Sequence, residues 1–311
     1  MANRLPHIDI AKGIGILAVV GLHTGFHIDA WVCWEMPLFF FLSGVFANPN
    51  KNGFILSRVN RLLVPAVFFY LPVFFYNCAY YLTHKLSLYD CFANSAIPTA
   101  LWFLIALFYI SIIHILIFRL FKNKFIHLLI ALAFFIIGYL LSHWKIPQYV
   151  FINTSITSCS YYLLGNLVSG EVKKMGSFNG YIALLCGLVA LLGSYIIYHT
   201  GDNYIFYRNN ELNADIYIVM TTALLGILGI LMISVYCSGT EILSKVLSYF
   251  GENSLLILCS HLYIVKIIQL LQLPSVLQFG LVVASLPMII YLFKRFFPRM
   301  SGYSPLIRIS R

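Results

Sequence analysis

The sequence predicts an all-α, polytopic integral membrane protein with about ten transmembrane helices, and three observations carry that prediction. Of its 311 residues, 61% are hydrophobic and only 10% charged, whereas a soluble domain carries about 25% charged residues. Mean hydropathy is +0.88. Ten apolar stretches can be drawn as spans, near residues 8–28, 32–47, 62–83, 97–118, 125–143, 149–168, 181–199, 214–237, 254–271 and 276–297. The 21 Tyr and 26 Phe suit a chain that meets both lipid and its headgroup borders.

The cations give the stretches a direction. With a cytoplasmic N-terminus, sixteen of the twenty Lys and Arg residues fall on inner loops or inner helix ends, leaving Lys85, Lys145, Arg208 and Lys266 outside. That bias predicts both termini in the cytoplasm and an even number of spans. The net charge of +10 is therefore a topology signal. A nucleic-acid module would gather its cations on one soluble face, so no nucleic-acid partner is expected. Residues 1–7 are short and polar, and the apolar run after them lacks a small-residue cleavage site, which predicts a retained anchor. The basic tail after residue 297 is too short for a second domain and predicts contact with the membrane surface. Residues 1–311 thus read as a single membrane domain.

Taken in order, the first span carries the strongest signal. Lys12 and His23 stand eleven residues apart. At about 100° per residue those steps come to about 1100°, some 20° past three full turns, so both side chains share a face about 16 Å apart along the axis. Asp9 joins the same stripe one helical i,i+3 step before Lys12. An ionisable residue inside a membrane is a functional candidate by default. A lysine near a helix end also snorkels to the headgroups, and a lone histidine also bonds helix to helix, so each residue alone leaves two readings open.

The second stretch is short and contains Pro37, which predicts a kink. Glu35 falls at its outer end, on the side of His23, either orienting the imidazole, bonding a sugar hydroxyl or standing as a solvated loop charge. Ser43–Gly44 predicts close packing between helices. At the inner edge of the third span, Arg58 and Arg61 lie three residues apart. Two guanidinium forks suit phosphate, and two arginines also suit an ordinary inner flank. Trp102 opens the fourth span from outside, where Trp is ordinarily an interface anchor. The sixth stretch, from Asn153 to Ser160, is polar enough to line a cavity or to enter only partway. The outer loop 200–213 is polar with interleaved aromatics, which suits a sugar-binding surface or an interfacial belt. Asn253 or Ser254 is placed to cap the ninth span, and His261 on it is either a packing contact or part of a cavity. The seven cysteines are scattered without a CxxC pair and read as small buried hydrophobes, with no disulfide or zinc framework. No metal-ligand cluster is visible, and no inverted repeat of broken helices of the transporter kind.

Together the segments Ile8–His23, Pro37–Gly44, Arg58–Pro65, Leu101–Leu104 and Gly251–His261 resemble, in order along the chain, the acyltransferase-3 family of membrane O-acyltransferases. The likeness looks closest to its fucose 4-O-acetylase-like branch. The family's R/K-X10-H signature falls on Lys12 and His23 and its RxxR signature on Arg58 and Arg61. Related sequences often carry a histidine before the Met-Pro-Leu-Phe run, where this chain has Glu35. The resemblance implies an acyl-CoA donor, acetyl-CoA above all, on the cytoplasmic side, with no permanently bound cofactor. It implies a glycan or lipid-linked sugar acceptor on the outer side of a bacterial cytoplasmic membrane. Lys12, Arg58 and Arg61 would then meet the donor's phosphates, His23 would act as general base with Glu35 beside it, and Trp102, Asn253 and His261 would contact substrate. Asp9, about 21 Å from His23 along the helix, is too far to orient it. A polysaccharide exporter, or another multi-span transporter, is the alternative. A non-catalytic scaffold leaves the aligned Lys12–His23 pair unexplained.

Overall fold

A computed structural model of the chain describes residues 4–50, 52–84 and 100–307. The expectations that fall on Lys51, Lys85, Cys91, Arg308 and Arg311 lie outside the described residues. Helix α1 (Pro6–Thr24) begins on a proline, whose fixed φ suits a first turn, and ends where Gly25 turns left-handed. A 3-10 turn (Asp29–Cys33) leads into α2 (Glu35–Val45). Next come α3 (Phe54–Arg58), a π-helical segment (Val59–Leu63) and α4 (Val64–Thr83), which run on as one rod. Helices α5 (Trp102–Leu120), α6 (Lys124–His143), α7 (Ile152–Leu167), the short α8 (Ser169–Lys174) and α9 (Gly180–Tyr198) follow. A small hairpin of β1 (Tyr204–Phe206) and β2 (Glu211–Asn213) precedes α10 (Ile216–Ser238), α11 (Glu241–Glu252), α12 (Ser254–Gln269) and α13 (Ser275–Phe296).

Every one of the ten expected stretches holds a helix, but they are not ten equal spans. Among the described residues, seven helices are long and apolar enough to cross a membrane, or eight if the pair α11–α12, bent by 79°, is one span. Helix α2 has 11 residues and α7 has 16, about 16 and 24 Å at 1.5 Å per residue, short of a hydrocarbon core of about 30 Å. Their burial explains the shortfall. Most of α2 and α7 is enclosed by neighbouring helices, so neither has to match the lipid. The stretch that joins the eighth and ninth expected spans is itself helical, as α11.

Burial sorts the remaining helices. The apolar window of α1 is 67% buried and that of α10 is 61%, against 22% for α6 and α9 and 17% for α13. Helices α1 and α10 therefore stand in the bundle interior, and the nearly all-apolar α6, α9 and α13 present their outer faces to lipid, where no polar stripe is needed. Cys186 on α9 is exposed on such a face, unlike the buried Cys33, Cys159, Cys237 and Cys259.

Two glycine contacts set how closely the interior helices approach. A Cβ on Gly13 would land on the Leu247 carbonyl, and one on Gly251 on the Asp9 carbonyl, so α1 and α11 touch backbone to backbone. Gly44 and Gly165 do the same for α2 and α7, against the Tyr162 and Phe41 carbonyls. Without a hydrophobic drive between helices in lipid, such close packing is a main source of association. The close packing expected at Ser43–Gly44 is present, and it centres on the glycine.

Candidate active site

The last turn of α1 carries His23, half-buried, with its backbone carbonyl accepting from Gln269 Nε2 at 3.4 Å. Its imidazole lies against that of His261, ring centroids 5.2 Å apart and planes tilted by 39°. His261 is fully buried on α12. Its Nδ1–H donates to the Ile257 carbonyl at 2.8 Å, which leaves Nε2 as a lone-pair acceptor with no partner among the described residues. Histidines 238 residues apart in sequence are thus neighbours. The bend between α11 and α12 is what allows α12 to lean its His261 face against the end of α1.

A narrow cavity of about 70 Å³ opens beside His23. Glu35, Trp102, Arg208, Tyr207 and Leu258 line it with His23. Glu35 sits in the first turn of α2 and is only 4% exposed, and its Oε2 has no hydrogen-bond partner among the described residues. It is therefore not a solvated loop charge. Trp102 is equally enclosed, packed between Phe40, Phe103 and Phe151 at 6.1 to 6.4 Å, so it walls the cavity and does not anchor the headgroup border.

Arg208 enters from the polar, aromatic outer loop 200–213, where no local spacing marks it. It lies in the 3-10 turn Tyr207–Asn209 at the tip of the β1–β2 hairpin. The loop folds down onto the helices, with Ile205, Tyr207, Asn210 and Leu212 buried. Helix α7 holds it there. Thr154 Oγ1 donates to the Tyr207 carbonyl at 2.5 Å, Thr157 Oγ1 to Asn210 Oδ1 at 2.5 Å, and the hydroxyls of Tyr161 and Tyr207 lie 2.9 Å apart. Asn210 Nδ2 also donates to the Gly138 carbonyl at 2.9 Å, and Gln148 Nε2 to that of Arg208. The polar run 153–160 thus spends its threonine hydroxyls on fastening a loop. Partial burial lowers the pKa of the Arg208 guanidinium from its usual value, yet arginine stays cationic in proteins.

Lys12 stands at the other end of α1, about 16 Å away by rise. Its Nζ is 3.3 Å from Asp9 Oδ1 and 4.9 Å from the centre of the Phe46 ring. Lys173 approaches the same ring at 5.6 Å. Arg58 is half-buried with its guanidinium 4.7 Å from the Phe54 ring, and Arg61 is exposed. The π-helical segment between them explains the difference, since a wider turn rotates Arg61 off the face that an α-helix would share with Arg58. Asn253 joins neither group. At the α11–α12 break it donates to the Tyr249 carbonyl and accepts from the Tyr303 hydroxyl, each at 2.5 Å. Among the described residues no three His, Cys, Asp or Glu side chains are grouped to hold a metal ion.

The arrangement is a basic end and a histidine end joined by one interior helix. The family model described as an acyltransferase domain, that of the acyltransferase-3 family, matches residues 5–294. The chain belongs to the acyltransferase-3 family. Neither the curated proteins nor the solved structures give a match. The match spans every helix named above and ends within α13, so acyl transfer is the activity to be placed on this bundle of membrane helices.

Proposed function

We propose that the chain moves an acetyl group from cytoplasmic acetyl-CoA to a hydroxyl of a cell-surface or lipid-linked sugar, at the His23 end of α1. The bundle would sit in a bacterial cytoplasmic membrane with the Lys12 end inward, as the positive-inside bias indicates. The observation that carries the proposal is the convergence of His23, Glu35 and Arg208, from three separate segments, on one small cavity, with His261 ring to ring against His23.

The chemistry follows from the residue types. A neutral His23 takes the proton of the acceptor hydroxyl as its oxygen attacks the thioester carbonyl. The new C–O bond forms, negative charge gathers on the carbonyl oxygen, and the C–S bond breaks as that charge returns. The thiolate leaves and takes up the proton. Arg208 is placed to stabilise the developing oxyanion, a task for which a preorganised cation in a dry site is well suited. The unpartnered Glu35 carboxyl oxygen is available to a sugar hydroxyl or to the imidazole.

The test is transfer of label from radiolabelled acetyl-CoA to candidate glycans by protein in membranes, beside a His23→Ala variant. Labelled glycan, lost in the variant, is expected. Transfer that survives His23→Ala removes His23 from the base role, and glycan movement without acyl-CoA favours the exporter reading.

A further inference from the structure

At the Lys12 end lies a second cavity, a groove of about 620 Å³ between Pro49, Asn50, Asn52 and Gly53, the start of α3 and the end of α5. Its volume falls within the ~300–1,000 Å³ of small-molecule sites. The floor is apolar and aromatic, formed by Phe54, Ile115 and Phe118, and the rim carries Arg119 and Lys122. Among the described residues, no acidic side chain lines it. Lys122 is drawn across the rim, with Nζ donating to the Phe118 carbonyl at 3.0 Å and standing 4.7 Å from that ring's centre. Phe54 links the groove to the interior, since its ring forms part of the floor while Arg58 covers it at 4.7 Å. Arg58 in turn faces the Tyr162 hydroxyl inside the bundle. Three cations thus lead from the open groove into the helices.

A positive-inside flank needs cations but no concavity, and it needs no aromatic floor. Both are what a ligand with a flat base and several phosphates would use: the floor takes the ring, and the guanidinium fork takes phosphate oxygens two at a time. We propose that this groove seats the nucleotide end of the acyl donor, an adenosine bearing a 3′-phosphate and a 5′-diphosphate, with Arg119 and Lys122 on the phosphates. The proposal rests on the acyl-CoA reading above. Arg58 is then the first cation beyond the groove, on the side where the donor's thioester arm turns into the bundle. Lys12, beside Phe46 and outside the groove, becomes a second contact and not the main phosphate anchor.

The full chain in zwitterionic nanodiscs is titrated calorimetrically with 3′,5′-ADP and with CoA. Removing two charge-assisted contacts in Arg119→Ala/Lys122→Ala should weaken both by about tenfold or more, while Lys124→Ala, two residues on and outside the groove, leaves them unchanged. Both cations of the double variant are exposed, so its thermal unfolding should match the parent's. Equal binding by parent and double variant overturns the groove and leaves the acyl-CoA reading intact. No binding of CoA by the parent overturns the acyl-CoA reading and the groove with it. Phosphatidylglycerol retained by the parent and shed by the double variant in native mass spectrometry, with CoA binding unchanged, assigns the groove to a lipid headgroup and overturns the proposal.

Discussion

His261 lies ring to ring with His23 at 5.2 Å, and its own Nδ1–H is committed to the Ile257 carbonyl. A bond to a carbonyl fixes the neutral tautomer and the ring plane, so His261 presents a lone pair and a flat face, and it cannot swing away. The partner that limits the motion of His23 is thus a second imidazole, fixed by its own helix. His261→Phe keeps the flat face and the packing but removes the polar nitrogen, whereas His261→Ala removes both. Both should lower kcat, the alanine variant more, by about 10²-fold, a loss at the low end of what general-base catalysis contributes. The KM for acetyl-CoA should change little. Steady-state kinetics of the two variants check this, and a phenylalanine variant with full kcat would show that packing alone is required.

Arg208 yields a sharper outcome because its backbone and side chain do separate things. The carbonyl accepts from Gln148 and Thr154 and holds the hairpin, while the guanidinium lines the cavity. Arg208→Ala keeps both of those carbonyl bonds, so the hairpin should stay seated. Its kcat should fall by about 10²–10³-fold, the usual loss on removing an oxyanion donor. Arg208→Lys should recover part of it, as a point charge without the fork. A large fall in thermal stability on Arg208→Ala would move its role from chemistry to structure.

The stripe on α1 was legible because charge within an apolar span is conspicuous and helical spacing converts to distance. The role of Arg208 was not. It depends on Thr154 and Thr157 bonding to residues 53 positions later, a pairing that no local pattern encodes. The same pairing decides between the two readings of the 153–160 run: its threonine hydroxyls fasten a loop, and its helix is too short for a full span. Trp102 looked like an interface anchor because position in a span predicts depth, whereas its burial is decided by α2 and α7. Arg58 and Arg61 looked alike in sequence, and the π-helical segment that separates them has no local marker. Asn253 looked like a helix cap beside a site, and it is held by Tyr303, from a tail whose return to the bundle could not be read.

Gly251 supports a test of the packing. Any side chain there meets the Asp9 carbonyl, which cannot move without displacing α1, while Gly280 on α13 has nothing within 4 Å of a new Cβ. Gly251→Val should destabilise the protein by at least the 1–3 kcal/mol typical of overpacking, and should lower activity because α1 carries His23. Gly280→Val should do neither. Thermal unfolding of both variants in one detergent decides the matter, and equal midpoints would mean that α1 and α11 do not touch as described.

Asn60 ties the tail to the bundle. Its Oδ1 accepts from the backbone N–H groups of Leu306 and Ile307 at 2.9 and 2.8 Å, and its Nδ2 donates to the Ile307 carbonyl at 2.9 Å. These bonds close a strap over the π-helical segment, and a few residues earlier Tyr303 reaches the α11–α12 break at Asn253. Hydrogen bonds of this kind contribute about 1 kcal/mol each, so Asn60→Ala should cost about 2–3 kcal/mol locally and free the last residues. Limited proteolysis should then clip the variant's C-terminus well before the parent's. Because the break at Asn253 sets the lean of α12, and α12 carries His261, the loosened strap should also lower kcat by a small factor, about two- to fivefold, an energy of under ~1 kcal/mol. Tyr303→Phe, which cuts only the link to Asn253, should reproduce the kinetic change without the proteolysis. Faster clipping with unaltered kcat in both variants would separate the strap from the site.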